Sequence, residues 1–359
     1  MKALSLSDKK VLGGALLASI VAFVCAHERF GPIVAFVTAA AALSLVAMVV
    51  GHATEHLGAK LGPGPTGVLQ SALGNLPELF VCIFSLKAGL VAVVQTALIG
   101  SILANSLLVL GLAMLLGGFK HGTQKFGGEA PKMISVLMVL ATAALIIPTL
   151  AHEIHTPASK HESTMSVAVA ILLLICFFAT LKFFMAGDKA VVSPEAEEEA
   201  HAHPKQHWPL GLAAGILACA GVGAAFVSEW FVDALGPAIK TLGISESFAG
   251  LVVVAIAGNA IENLVGIQLA LKNKMDYGVS VILNSSLQIA LVLVPVIVLY
   301  SVFFTATPFT LVLPPLLAGC LVLTSLVTSM VVNDGESIWV EGLALIGLYV
   351  VIAIAFWWG

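Results

Sequence analysis

The sequence predicts an all-α polytopic membrane protein of about eleven transmembrane helices: one N-terminal helix, then two inverted five-helix repeats. Three observations carry that prediction. Hydrophobic residues make up 59% of the chain and charged residues 10%, against roughly 45–50% and about 25% in soluble domains. Apolar runs of membrane-spanning length recur along the whole chain. The sequence also repeats itself: Gly74-Asn75-Leu76-Pro77-Glu78 and Gly258-Asn259-Ala260-Ile261-Glu262 share the pattern G-N-x-x-E at an offset of 184 (258 less 74). The offset persists beyond the motif, pairing Val81 with Val265, Ile83 with Ile267, Ser101 with Ser285 and Leu107 with Leu291.

A spanning helix needs about 20 mostly apolar residues. Such runs lie near 11–27, 32–60, 66–87, 90–118, 132–150, 166–185, 208–235, 245–271, 277–304, 307–331 and 337–357. The first follows Lys9 and Lys10, as a signal peptide would. No small-x-small cleavage site precedes Glu28 and Arg29, so it is read as a retained helix. The domain plan is then 1–31 for the first helix, 32–185 for the first repeat, 186–207 for a linker and 208–359 for the second repeat. Cys25, Cys82, Cys176, Cys219 and Cys320 sit in apolar runs without paired spacing and read as small buried apolar residues.

Positive charge sets the orientation. With the N-terminus in the cytoplasm, Lys2, Lys9, Lys10, Lys60, Lys120, Lys125, Lys132, Lys182, Lys189, Lys205, Lys272 and Lys274 face inward. Only Arg29, Lys87, Lys160 and Lys240 face outward. Five helices per repeat is an odd number, so the second repeat enters the membrane upside down. That is a transporter architecture with its site near the midplane.

The linker 186–207 carries Glu195, Glu197, Glu198 and Glu199, then His201, His203 and His207. It is either a solvated connection or a regulatory cation sensor, since clustered carboxylates and imidazoles attract divalent ions. The loop with His152, Glu153, His155, His161 and Glu162 is open to the same two readings outside.

The motif segments place an amide and a carboxylate at membrane depth, where polar groups are costly and mark function. Gly74 and Pro77 are expected to break the first helix, and Gly258 alone to kink the second, which has Ile261 in place of proline. A broken helix exposes backbone groups, tolerable only where they line a cavity or bind an ion. Asn75 and Glu78 share a helix face, as do Asn259 and Glu262. The following helices bring Ser101 and Asn105, and in the second repeat Ser285, Ser286 and Gln288, with Asn284 in the place of Gly100. Together these are oxygen ligands with two formal negative charges, a set that suits a hard cation such as calcium. Two carboxylates left ionised and empty repel, so the site holds either a cation or protons, which is a basis for exchange. The plainer reading has Glu78 and Glu262 only locking the bundle, but no Lys or Arg lies mid-helix to neutralise them. Glu55 and Glu229 sit late in apolar runs and either line an ion pathway or lie near the membrane surface.

On these residues the chain resembles the calcium/cation exchanger superfamily, in particular its cation/proton exchanger branch. The carrying stretches are Gly74-Asn75-x-x-Glu78 with Gly100-Ser101-Ile102-Leu103-Ala104-Asn105, and Gly258-Asn259-x-x-Glu262 with Leu271-Lys272-Asn273-Lys274-Met275-Asp276 and Ser285-Ser286-Leu287-Gln288-Ile289-Ala290. The resemblance implies alternating access and export or sequestration of Ca2+ against H+, with Glu78 and Glu262 as central ligands. Asn75, Asn259, Ser101, Ser285 and Gln288 are expected to complete the site. Three departures are Asn263 where relatives often have histidine, Pro77 where threonine is common, and Asn284 where glycine is common. They keep two alternatives of the same fold: a Na+- or K+-coupled Ca2+ exchanger, and a monovalent cation/H+ antiporter.

Two readings from other classes compete with this one. His52-Ala53-Thr54-Glu55-His56 matches H-x-x-E-H, a zinc-peptidase pattern. An ion channel would use the same carboxylate pair without counter-ion coupling. No phosphate-binding loop, serine-nucleophile motif or basic nucleic-acid patch is present, so neither ATP drive nor nucleic acid is expected. Nor is a cofactor, since Ca2+ is cargo. The partners expected are Ca2+, H+ and the lipid bilayer, with room for a homo-oligomer. Short loops and the lack of a long N-terminal extension point to a prokaryotic inner membrane, with an organelle (vacuolar) membrane as the alternative.

Overall fold

The computed structural model describes residues 4–28, 30–61, 73–186 and 208–358, and of residues 6, 59–61, 129, 182–186 and 260–263 the backbone alone. Nine helices among the described residues are long and apolar enough to cross a membrane. They match nine of the eleven runs read from the sequence. The other two runs are the motif segments. The first begins outside the described residues and continues as Leu76–Lys87, 12 residues. The second is interrupted at Asn259, with an apolar stretch Glu246–Gly258 before it and the helix Ala260–Leu271 after it. Twelve residues rise only about 18 Å, well short of a hydrocarbon core about 30 Å thick.

The chain forms two compact units. The first gathers Met1–Ala88, Ala179–Ile244 and Ala257–Ile261, the second Gly89–Phe178, Ser245–Ile256 and Glu262–Gly359. Each draws on both halves of the sequence.

In the first unit the helices Pro32–Leu61 and Leu210–Leu242 pack against each other, with Leu6–His27 alongside. Phe36, early in one, stacks on Phe231, late in the other, at 5.0 Å. His56, late in the first, stacks on Trp208, just before the second, at 4.2 Å. These repeat-equivalent helices therefore run antiparallel. Trp208 is fully buried, and its Nε1–H donates to Asp8 Oδ2 at 3.0 Å. Asp8 in turn closes the Ser5 capping box of the N-terminal helix.

The second unit shows the same inversion. Lys120 Nζ and His121 Nε2, at the end of the Val91–His121 span, lie 2.8 and 2.9 Å from the carbonyl oxygen of Leu271, just before the Met275–Phe304 span begins. At the opposite end Gln95 Nε2 donates to Val312 O at 2.8 Å. The loop ends that the charge count assigned to the cytoplasm meet on one side. Gly128 N–H donates to Asp276 Oδ1 at 3.1 Å, and Gln124–Lys125 pairs antiparallel with Glu336–Ser337. The fold is thus the predicted all-α membrane protein with inverted repeats.

One predicted span needs correcting. The run 307–331 becomes helical only at Pro315, continuing to Asp334. Pro308, Pro314 and Pro315 prevent an earlier start. The non-helical residues before it still need partners at membrane depth, and side chains supply them. Phe309, Leu311 and Leu313 N–H donate to Ser301 Oγ, Ser166 Oγ and Thr149 Oγ1 at 2.8, 2.9 and 2.9 Å.

Gly100 shows how tightly the second unit is packed. A Cβ there would stand 2.6 Å from the Cα and carbonyl oxygen of Leu251, which are backbone atoms and cannot rotate away. Replacing Gly100 with Ala is therefore expected to force two helices apart and destabilise the protein by about 1–3 kcal/mol. A thermal-unfolding shift in detergent measures it, and an unchanged midpoint would contradict the packing described.

Candidate functional site

The first motif is a helix start at membrane depth. Gly74 and Asn75 form a turn, and the helix begins at Leu76. Pro77 lies in the first turn, where the missing N–H has no intrahelical partner to lose. The proline therefore opens a helix, whereas the sequence suggested it would break one. Glu78 is the third residue of that helix, facing its positive end. Asn75 and Glu78 are 6% and 1% exposed.

The second motif repeats the arrangement. Asn259 is the turn residue, the helix begins at Ala260, and Glu262 is its third residue. The interruption thus falls at Asn259, one residue beyond the glycine expected to carry it. Within the first unit the two motifs touch. A Cβ on Gly258 would lie 3.5, 3.6 and 3.7 Å from Glu78 Cβ, Cγ and Cδ. The lack of a side chain at Gly258 is what lets the Glu78 carboxyl lie along that backbone. Asn259 is buried as well.

The second unit holds the remaining predicted oxygens. Ser101, Asn105, Ser285, Ser286 and Gln288 are all buried. Asn105 Nδ2 donates to Ser285 Oγ at 3.1 Å, and its Oδ1 has no hydrogen-bond partner among the described residues. The Ser106 and Ser286 hydroxyls are 3.1 Å apart, and Thr328 Oγ1 donates to Ser106 O at 3.4 Å. Ala104–Val109 and Ile289–Leu293, one from each repeat at matching positions, are π-helical. Such turns frequently mark functional sites. Ser106 and Thr328 were missed in the sequence. The adjacency of Ser106 to Asn105 was the available signal for one, and nothing marked the other.

Glu55 and Glu229 lie at opposite ends of the first unit. Glu55 is exposed beside His56. Glu229 lines a cavity of about 750 Å³ with His27, Glu28, Trp230 and Asp233. Asp233 was also overlooked, although it stands one helical turn from Glu229. The acidic linker residues Glu195, Glu197, Glu198 and Glu199 lie outside the described residues, as does the Glu262 side chain.

The zinc-peptidase reading of His52-x-x-Glu55-His56 is not supported. The His56 ring lies nearly flat on Trp208, with 20° between the planes. Among the described residues no three His, Cys, Asp or Glu side chains come together to hold a metal, and zinc requires at least three protein ligands.

Comparison with known proteins extends this picture. The family model described as sodium/calcium exchanger protein matches residues 31–186 and 212–358. A Ca2+/H+ antiporter of Aphanothece halophytica is 35% identical over 333 residues, covering 89% of this chain and 89% of its own length. The Ca2+/H+ antiporter ChaA of Bacillus subtilis (strain 168) is 36% identical over 313 residues, covering 87% and 88%. The solved structure of native YfkE matches with a TM-score of 0.79 at 32% identity, covering 97% of this chain and 98% of its own.

The buried hydroxyl pair gives a check on the site geometry. Ser106→Ala and Ser286→Ala should each destabilise the protein by about 1 kcal/mol, because each strands the other hydroxyl. The double substitution should cost clearly less than the two singles added. Strict additivity in thermal unfolding would show that the two side chains do not meet.

Proposed function

The chain belongs to the sodium/calcium exchanger protein family, and on that premise we propose that it is a secondary antiporter exchanging Ca2+ for H+ by alternating access. The observation that carries the reading is the pair of interrupted motif helices, each starting at an asparagine turn and carrying a glutamate as its third residue. Interrupted helices of this kind are where secondary transporters bind their ions. Two relatives named as Ca2+/H+ antiporters, each matched over nearly nine-tenths of this chain, support calcium and protons as the exchanged ions.

In this reading Glu78 and Glu262 are the central calcium ligands and also the proton carriers. Asn75, Asn259, Ser101, Ser285 and Gln288 add neutral oxygens, with Asn105 and Ser286 supporting them. Each glutamate is the third residue of its helix, where a negative side chain is favoured by the helix dipole. Two carboxylates neutralise one divalent ion, and two protons neutralise the same pair. Calcium and protons therefore exclude one another at the site without any further device. Protons arriving from outside discharge calcium there, and the protonated site returns and releases them inward. Glu28, Glu229 and Asp233, around the outer cavity of the first unit, form an antechamber whose negative field concentrates cations. Direct chemistry on a substrate plays no part, so the protein is a transporter and not an enzyme.

The test is calcium flux in proteoliposomes under imposed pH, sodium or potassium gradients. A pH gradient alone is expected to drive uptake. Sodium dependence would instead select the sodium-coupled alternative, and calcium-independent cation flux would overturn the calcium reading. Glu78→Gln and Glu262→Gln should each abolish exchange. Removing one partner of a buried charge interaction costs about 3–5 kcal/mol, so apparent calcium affinity should fall by two decades or more. Glu229→Gln with Asp233→Asn should leave turnover intact, weaken apparent affinity from outside by severalfold at low salt, and lose that effect at high salt.

A further inference from the structure

Ser44 and Ser228 stand at the repeat offset of 184, one on each of the two long helices Pro32–Leu61 and Leu210–Leu242. Neither residue belongs to the motifs. Each hydroxyl nevertheless reaches a backbone carbonyl of the opposite repeat's motif segment. Ser44 Oγ donates to Ala257 O at 3.2 Å, the residue just before Gly258. Ser228 Oγ donates to Pro77 O at 3.4 Å, the residue just before Glu78. All four residues lie in the first compact unit.

We propose that Ser44 and Ser228 are positioning residues for ion exchange: a reciprocal pair of hydroxyls that fastens each long helix to the motif backbone of the other repeat. The crossed pattern gives the pair its meaning. A serine bonded within its own repeat would merely stiffen one bundle. A serine bonded across repeats links displacement of one long helix to the backbone beside a proposed ion ligand in the other half. The two donors are repeat equivalents, while their acceptors differ by about one helical turn, since Pro77 corresponds by the offset to Ile261 and not to Ala257.

The bond lengths suit a contact that must be made and broken. O–H···O bonds in proteins centre near 2.7–2.8 Å, and both contacts are longer. Ser44 also has a second acceptor, Ala40 O on its own helix, at 3.1 Å. Serines on helices readily turn back to the carbonyl four residues before. A hydroxyl with that fallback can release the motif without being left unsatisfied in the membrane. The two contacts are also unequal: Ser228 is fully buried, whereas Ser44 is partly exposed and its contact is the shorter.

The inference rests on the exchange reading for its transport arm only. Its structural arm is hydrogen–deuterium exchange on the purified, reconstituted full chain, which needs no flux. Ser44→Ala should speed amide exchange in the peptide around 257–262 and leave 74–81 unchanged, and Ser228→Ala should do the reverse. The expected increase is about two- to tenfold, the factor for losing one ordinary hydrogen bond. Ser44→Thr and Ser228→Thr keep a hydroxyl and should behave as wild type, which guards against an alanine variant that misfolds. In proteoliposomes the alanine variants should lower maximal calcium flux severalfold. Equilibrium binding of calcium alone should change by less than about twofold, because the hydroxyls touch backbone and not the ion. Acceleration of the variant's own repeat, equal acceleration of both, or none at all overturns the proposal. So does a tenfold loss of calcium affinity, which would make the serines ligands. If the crossed exchange pattern appears but wild type moves no calcium, the exchange reading fails and the latch stands.

Discussion

An ionised carboxylate at membrane depth must be held by something other than water, and that requirement shapes the rest of this molecule. Isolated in hydrocarbon, such a group is driven to neutralise. No Lys or Arg lies in the middle of an apolar run to neutralise the motif carboxylates. The chain offers instead the start of a helix, where unbonded N–H groups and the aligned peptide dipoles favour negative charge. A helix that starts inside the membrane must be an interrupted one, which accounts for the turns at Gly74-Asn75 and at Asn259. An interrupted helix exposes backbone that lipid cannot satisfy. Each motif segment is therefore packed against protein, the first alongside Gly258 and Leu210–Leu242. The glycine, the asparagine, the glutamate and the burial follow from one another.

The same rule governs the second unit, where the exposed groups are hydroxyls and backbone amides. Asn105 Nδ2 donates to Ser285 Oγ, and the Ser106 and Ser286 hydroxyls meet each other. Residues 309–313, a non-helical stretch of backbone, are stitched down by Ser301, Ser166, Thr149 and Gln95. Those four residues look unremarkable in sequence, being single polar residues in apolar runs. Their role is to let a chain with three prolines pass near the membrane without a helix. The composition of the chain is therefore apolar for lipid, with a small set of polar side chains that includes partners for the non-helical backbone.

How much of this the sequence made legible depends on the length scale of the signal. Spans of twenty apolar residues are long, redundant signals, and nine of them were readable directly. The duplication was readable because the offset holds over more than thirty residues, and the inversion followed from counting helices and charges. The motif residues stood out because carboxylates inside apolar runs are rare. Details decided by a single backbone position were harder to see. Pro77 looked like a breaker but opens a helix, because the interruption comes three residues earlier. Asn259 carries the second turn although Gly258 looked the better candidate. The late start at Pro315 was marked by prolines, but hydropathy outweighed them. Long-range contacts such as Thr328 to Ser106, or Ser44 to Ala257, have no sequence signature until the fold brings them together.

The first helix poses a last question of economy, since the family match begins only at residue 31. It buries little of its own surface and is polar mainly at its ends. Those ends are where it is fixed. At one, Asp8 accepts from Trp208, whose ring carries His56, so the helix is joined to both long antiparallel helices through a single buried indole. At the other, Phe23 and His27 pack on Trp230 beside the cavity that Glu28, Glu229 and Asp233 line. Between those ends the span is apolar and packs along Pro32–Leu61, so the directional contacts that fix its register are confined to its two ends.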